Sequence, residues 1–160
     1  MDRKNRLLTA LLGILCCLGF LSAYAANPVP ISPVGYWKTI DDVTGKPKSI
    51  IQIWRTEDQT LTGKVVKVFS KEGYDQIKLC TACSGDKRNQ PIVGMMILTG
   101  LKAKEHQWTN GEILDPENGK TYSCALRVTD NGKKLNVHGY IGLPLFGRSQ
   151  TWERVDLMSG

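Results

Sequence analysis

Cys80-Thr81-Ala82-Cys83 is the sharpest chemical signal in the chain: two thiols three residues apart can form a disulfide, work as a redox pair, or supply half of a metal site. Redox chemistry needs a thiol acidified by a helix N-terminus or a cation within a βαβ frame, and no such frame surrounds this pair. A zinc site needs a second ligand pair, yet His106 and His138 are single and far apart. A structural disulfide between Cys80 and Cys83 is therefore the expectation. Cys124 is the odd cysteine, so three pairings stay open among 80, 83 and 124. As a mid-strand residue beside Tyr122, Leu126 and Val128, it reads as a buried, inert thiol.

Hydrolytic chemistry finds less support. Ser84-Gly85-Asp86 and the two histidines do not form a nucleophile elbow, and the acidic pairs Asp41-Asp42 and Glu57-Asp58 fall where turns are expected. Phosphate-binding glycine loops are missing, the 16 glycines being scattered among hairpins. The chain is read as non-catalytic, with no cofactor and no metal.

A different constellation points to binding. Gly142-Leu143-Pro144-Leu145-Phe146-Gly147 joins two strands, where polar residues are the rule, yet it carries three large apolar side chains with Arg148 behind them. Either this loop folds back and plugs one end of the fold, or it forms an apolar lip at a cavity mouth with Arg148 set to meet an anionic head group. Trp54, Trp108 and Tyr140 are candidates to line the same space with Phe146 and Arg148.

These residues must be held by strands. Short runs rich in Val, Ile, Thr, Tyr and Trp recur between turn signals, with almost no helical periodicity. The expected strands are Gly35–Ile40, Lys48–Arg55, Thr60–Phe69, Met95–Leu101, Gln107–Leu114, Lys120–Thr129, Lys134–Ile141 and Arg148–Val155. Turns such as Asp115-Pro116-Glu117-Asn118-Gly119 and Asp130-Asn131-Gly132 place Gly where tight hairpins need positive φ, and links this short make neighbouring strands antiparallel. In the seventh run Leu135, Val137, Gly139 and Ile141 share the core side, with Gly139 read as a bend or a point of close approach. About eight such strands suggest an all-β, up-and-down barrel, with a β-sandwich as the alternative. The polar segment Ser70–Gly94 interrupts the rhythm as a long excursion pinned by the cysteines, and long loops of this kind are often functional.

The beginning of the chain is of another kind. Arg3, Lys4 and Arg6 precede the uncharged run Leu7–Leu21, and Ala23-Tyr24-Ala25 offers small residues for cleavage between Ala25 and Ala26. Residues 1–25 are read as a signal peptide, 26–34 as a proline-rich leader and 35–156 as one domain. The protein is thus expected outside the cytoplasm, in the periplasm or beyond, with no stable membrane insertion after cleavage. Of the 160 residues, 21 are Lys or Arg and 15 Asp or Glu, and the scattered basic excess lacks the aromatic-interleaved stripe of nucleic-acid binders. Oligomeric state is not legible.

Several stretches together resemble a family of small exported bacterial proteins catalogued as a domain of unknown function. They are Gly35-Tyr36-Trp37, Cys80 through Gly85, Pro91 through Gly94, Ile97 through Leu101, Trp108 with Gly111-Glu112-Ile113, Asp115 through Tyr122, and Gly139-Tyr140-Ile141-Gly142 with Phe146 through Trp152. The resemblance spans Gly35 to Arg154 and implies a lipocalin-like barrel, without implying an activity. Gly35-x-Trp37 resembles the lipocalin opening motif, in which the Trp closes the barrel floor and a late Arg crosses its ring, and Arg154 is the matching candidate. From this follows the expectation of a small apolar or amphipathic ligand in the barrel. A filled barrel serving as an envelope interaction module and a thiol-disulfide redox protein are the alternatives.

Overall fold

The computed structural model describes residues 32–69 and 77–156. The signal peptide, its Ala25/Ala26 cleavage point and the leader up to residue 31 lie outside the described residues.

Eight antiparallel strands close into a barrel in simple sequence order: β1 (Gly35–Ile40), β2 (Pro47–Arg55), β3 (Leu61–Val68), β4 (Met96–Lys104), β5 (Gln107–Asp115), β6 (Lys120–Thr129), β7 (Lys134–Tyr140) and β8 (Gly147–Val155). Closure is made by β1 against β8, with Trp37 opposite Arg154 and Lys38 opposite Glu153. The β-sandwich alternative is thereby excluded. Closure joins the first and last strands, so neither stands as a free sheet edge along its whole length.

Alternation sorts the side chains. Ile51 and Ile53 of β2, Leu126 of β6 and Leu135 and Val137 of β7 point inward and are buried. Turn chemistry fixes the hairpins. Asp41 accepts bonds from the Val43 and Thr44 amides and from Thr44 Oγ1, which holds its carboxyl below the usual range. Asp58 plays the same part with Thr56 and Thr60 hydroxyls. Both acidic pairs thus sit in turns, as read from the sequence.

The polar excursion contributes more to the core than its composition suggests. Cys80 and Cys83 are disulfide-bonded and buried, as are Ile92 and Met95. A short antiparallel pairing holds it together, Leu79 facing Pro91, with the Cys80 amide donating to the Gln90 carbonyl and the Ile92 amide to that of Lys78. A 3-10 turn at Gly85–Lys87 lies between.

The two ends of the barrel differ. At one end run the loops 56–60, 105–106 and 130–133, and there Trp37, Leu61, Leu101 and Leu135 are fully buried. Pro33, placed in the leader by the sequence reading, is buried here too, its carbonyl accepting a bond from Trp37 Nε1 at 2.7 Å. The Arg154 guanidinium lies 4.2 Å over the Trp37 ring and donates to the Ser32, Val34 and Gly132 carbonyls. The packed end therefore includes Ser32, Pro33 and Val34, ahead of the first strand. At the other end run the loops 41–46, 116–119 and 141–146 and the 77–95 excursion.

Candidate functional site: a cavity opening at one end of the barrel

The end opposite Trp37 is not filled. A cavity of about 420 Å³ opens there, within the ~300–1,000 Å³ range of small-molecule sites. Its apolar wall includes Ile51 of β2, Val65 of β3, Ile113 of β5, Val137 of β7 and Trp152 of β8, inward-facing by strand alternation, with Ile97 of β4 joining them at a register shift in the β3–β4 ladder. Ile92 of the excursion covers part of the wall from above.

Polar groups gather near the mouth. Thr39 and Ser49 hydroxyls bond each other at 2.7 Å, and the Ser49 amide donates to Thr39 Oγ1. Tyr122 Oη accepts from Asn118 Nδ2 at 3.0 Å, which leaves the phenolic proton available to a guest. Gln150 receives Trp152 Nε1 and donates to Asp42. Lys48 pairs with Glu117 at 2.7 Å, and Lys78 lies 3.9 Å from the same carboxylate. Lys48 thus has its own carboxylate partner on the rim, and Lys78 shares it.

The sequence candidates divide. Phe146, Arg148 and Tyr140 border the cavity. Arg148, read as a partner for an anionic head group, is instead ion-paired with Asp42, whose carboxyl is held below its usual range by the Gln150 bond and by Arg148. Tyr140 reaches only the rim, because its ring stacks on His138 on the face of β7 opposite Gly139, the centroids 5.6 Å apart. Trp54 and Trp108 do not line the cavity. Trp54 faces outward beneath the Lys64 ammonium, 5.7 Å from its ring centre. Trp108 points inward but at the closed end, with the Arg55 guanidinium 5.0 Å over its ring. Alternation puts Trp54 on the outer face of β2 beside inward-facing Ile53, whereas for Trp108 it gives the inner face but not the depth along the axis, which is what keeps that ring from the cavity.

Gly139, read as a bend or close-approach point, is neither. A Cβ there would meet Ile113 and Tyr122 at 3.6 Å, ordinary van der Waals contact, so the missing side chain simply leaves room in the cavity. The cavity is lined mainly by residues outside the sequence candidates, Tyr122 and Gly139 among them, although alternation along β6 and β7 puts both inside.

Chemistry within this arrangement is sparse. Among the described residues, no group of three or more His, Cys, Asp or Glu side chains could hold a metal ion. Cys124 is buried between Gly111 and Gly139, and burial pushes its thiol up to about 12. At pH 8 its thiolate fraction is therefore negligible. An aromatic disulfide reagent is expected to leave Cys124 unmodified in the native protein and to label it on unfolding. Rapid native labelling would contradict the buried placement.

The chain matches over residues 35–154 a family described as "Uncharacterized protein conserved in bacteria (DUF2147)". The chain belongs to this family. Its span runs from the first residue of β1 to Arg154, so it takes in all four mouth loops and both members of the Trp37–Arg154 contact. No curated protein matches the chain in sequence. Among solved structures, the chain is similar to one described as "Protein HP1028 from the human pathogen Helicobacter pylori belongs to the lipocalin family". The TM-score is 0.67 at 19% identity, covering 80% of this chain and 86% of that one. That likeness is one of fold: a lipocalin-like, eight-stranded barrel in a family without an assigned activity.

Proposed function

We propose that this family member is an exported, non-catalytic carrier that holds one small apolar or amphipathic molecule, such as a fatty acid, inside the barrel. The observation that carries the reading is the cavity: about 420 Å³ with an aliphatic wall at one end of a barrel whose other end is packed solid. An interior kept for stability alone would be closed by larger side chains, since native interiors leave few voids larger than a water molecule. The ligand's apolar part occupies the space between Ile51, Val65, Ile97 and Val137. Its polar end lies near the Tyr122 and Ser49 hydroxyls, which favour a hydrogen-bond acceptor such as a carboxylate or ester oxygen.

The redox alternative loses support from burial. Both sulfurs of the Cys80–Cys83 pair are inside the protein, where an exchanging thiolate has no approach. Export is supported by the basic, apolar and small-residue succession of residues 1–25 and by the disulfide.

Displacement of N-phenylnaphthylamine by laurate tests the reading. Saturable one-to-one binding with a Kd of about micromolar is expected. Absence of any saturable binding by a panel of fatty acids and neutral lipids would return the protein to the interaction-module reading.

A further inference from the structure

The loop that rims the cavity is itself unusual. Between Tyr140 and Gly147 the chain carries no charged side chain, and Ile141, Leu143, Leu145 and Phe146 all stand in solvent, Leu145 at 85% exposure and Phe146 at 71%. Val43, on the adjoining 41–46 loop, is 92% exposed. The Arg148–Asp42 ion pair ties these two loops together at the same end of the barrel.

The exposure is imposed by the fold. The Pro144 carbonyl can only accept, so the 2.7 Å contact makes His138 Nε2 the donor, and His138 Nδ1 bonds the Ser149 hydroxyl at 2.9 Å. The imidazole presses on the loop base closely enough that a Cβ at Gly147 would stand 2.5 Å from it. A Phe146 amide bond to the Leu143 carbonyl closes the turn. The loop is thus held with its leucines pointing away from the barrel, where collapse onto the mouth would have buried them.

The geometry points to a lipid bilayer as the occupant of this face: the 141–146 lip, with Val43 beside it, inserts its apolar tip into the interface and sets the cavity mouth against the membrane. Two observations select lipid over a protein. Ile141 and Phe146 are at once exposed and part of the cavity lining, so one apolar surface runs unbroken from the loop tip to the barrel interior, as a lipid chain passing from bilayer to cavity requires. A protein seated there would seal the mouth. Around the same end Lys46, Lys87, Arg88 and Lys120 are exposed. Asp42 is paired with Arg148 and Glu117 with Lys48, Asp86 is exposed beside Lys87 and Arg88, and Asp41 and Asp115 are held within their own turns, so among the described residues cations still outnumber carboxylates at this end. Exposed cations around an apolar tip match an anionic lipid surface. The inference rests on the carrier reading of the cavity and adds where the ligand is exchanged.

The test separates the two. Leu143 and Leu145 do not line the cavity, so the double variant L143D/L145D alters the lip alone. Flotation with vesicles of three parts phosphatidylethanolamine to one part phosphatidylglycerol is expected to carry the wild-type protein, less so at high salt. The variant is expected to partition at least about tenfold more weakly while binding laurate as before. Equal flotation of variant and wild type overturns the inference, as does failure of the wild type to float. If in the latter case the wild type sediments as a dimer that the double variant converts to monomer, the lip is an interface between copies of the chain. Loss of laurate binding in the wild type would instead strike the carrier reading.

Discussion

Gly119→Ala is expected to destabilise the protein by about 2–5 kcal/mol, the sum of ~1–2 for an alanine in the left-handed region and ~1–3 for a forced displacement of packed structure. Gly119 has φ +71°, and a Cβ there would stand 1.9 Å from the Ala82 carbonyl oxygen and 2.9 Å from the Cys83 amide nitrogen. Those atoms are backbone of the disulfide loop, which cannot swing aside as a flexible side chain could. The Gly119 amide also closes the β5–β6 turn onto the Asp115 carbonyl at 2.8 Å, so the turn is held from its other side. For a domain of this size the loss corresponds to a fall in Tm of roughly 10 °C, measurable by thermal circular dichroism. A change within about 2 °C would mean that the disulfide loop does not rest on this turn. Because the same loop carries Cys80 and Cys83 into the core and leads to Ile92 on the cavity wall, laurate binding is expected to weaken with it.

Gly139→Phe is the converse case, in which stability and binding part company. The position is inward-facing, its φ is not positive, and its absent Cβ has ordinary contact distances, so a side chain enters without backbone strain. Replacing Gly within a strand removes an entropic cost of about 0.5–1 kcal/mol, so Tm is expected to hold or to rise by a few degrees. The phenyl ring projects into the space reserved for the ligand. Overpacking of even 1–3 kcal/mol weakens binding by roughly 5- to 150-fold, and fluorescence displacement with laurate reads it. Unchanged affinity in a folded Gly139→Phe protein would place the ligand elsewhere.

Much of the fold was legible because its signals are local. Turn chemistry placed Asp130-Asn131-Gly132, whose residues all adopt positive φ, and alternation placed Leu135 and Val137 inside. The extent of β1 and of β6 follows from the residues alone. β4 runs on to Lys104 rather than ending at Leu101, since Lys102, Ala103 and Lys104 continue the ladder opposite Thr109, Trp108 and Gln107. Charged residues end a strand only when their partners stop, and those partners are a matter of pairing. The site was less legible for the same reason. Which charge neutralises Arg148 depends on Asp42, 106 positions away in the chain, and the burial of Pro33 depends on Trp37 and on the barrel end around it. Depth along the barrel axis, which separates Trp108 from Trp152, is set by strand stagger and not by any periodicity within one strand.

The central claim is that the barrel interior holds a ligand, and native mass spectrometry of the protein purified without denaturation from its own cell envelope addresses it most directly. The expected result is an excess mass on the order of a few hundred daltons that is lost on denaturation and is missing from Gly139→Phe. The covalent mass is expected to show removal of residues 1–25 and the two hydrogens lost in the Cys80–Cys83 bond. A bare polypeptide mass in the wild type, unchanged after exposure to membrane lipid extract, would contradict the account.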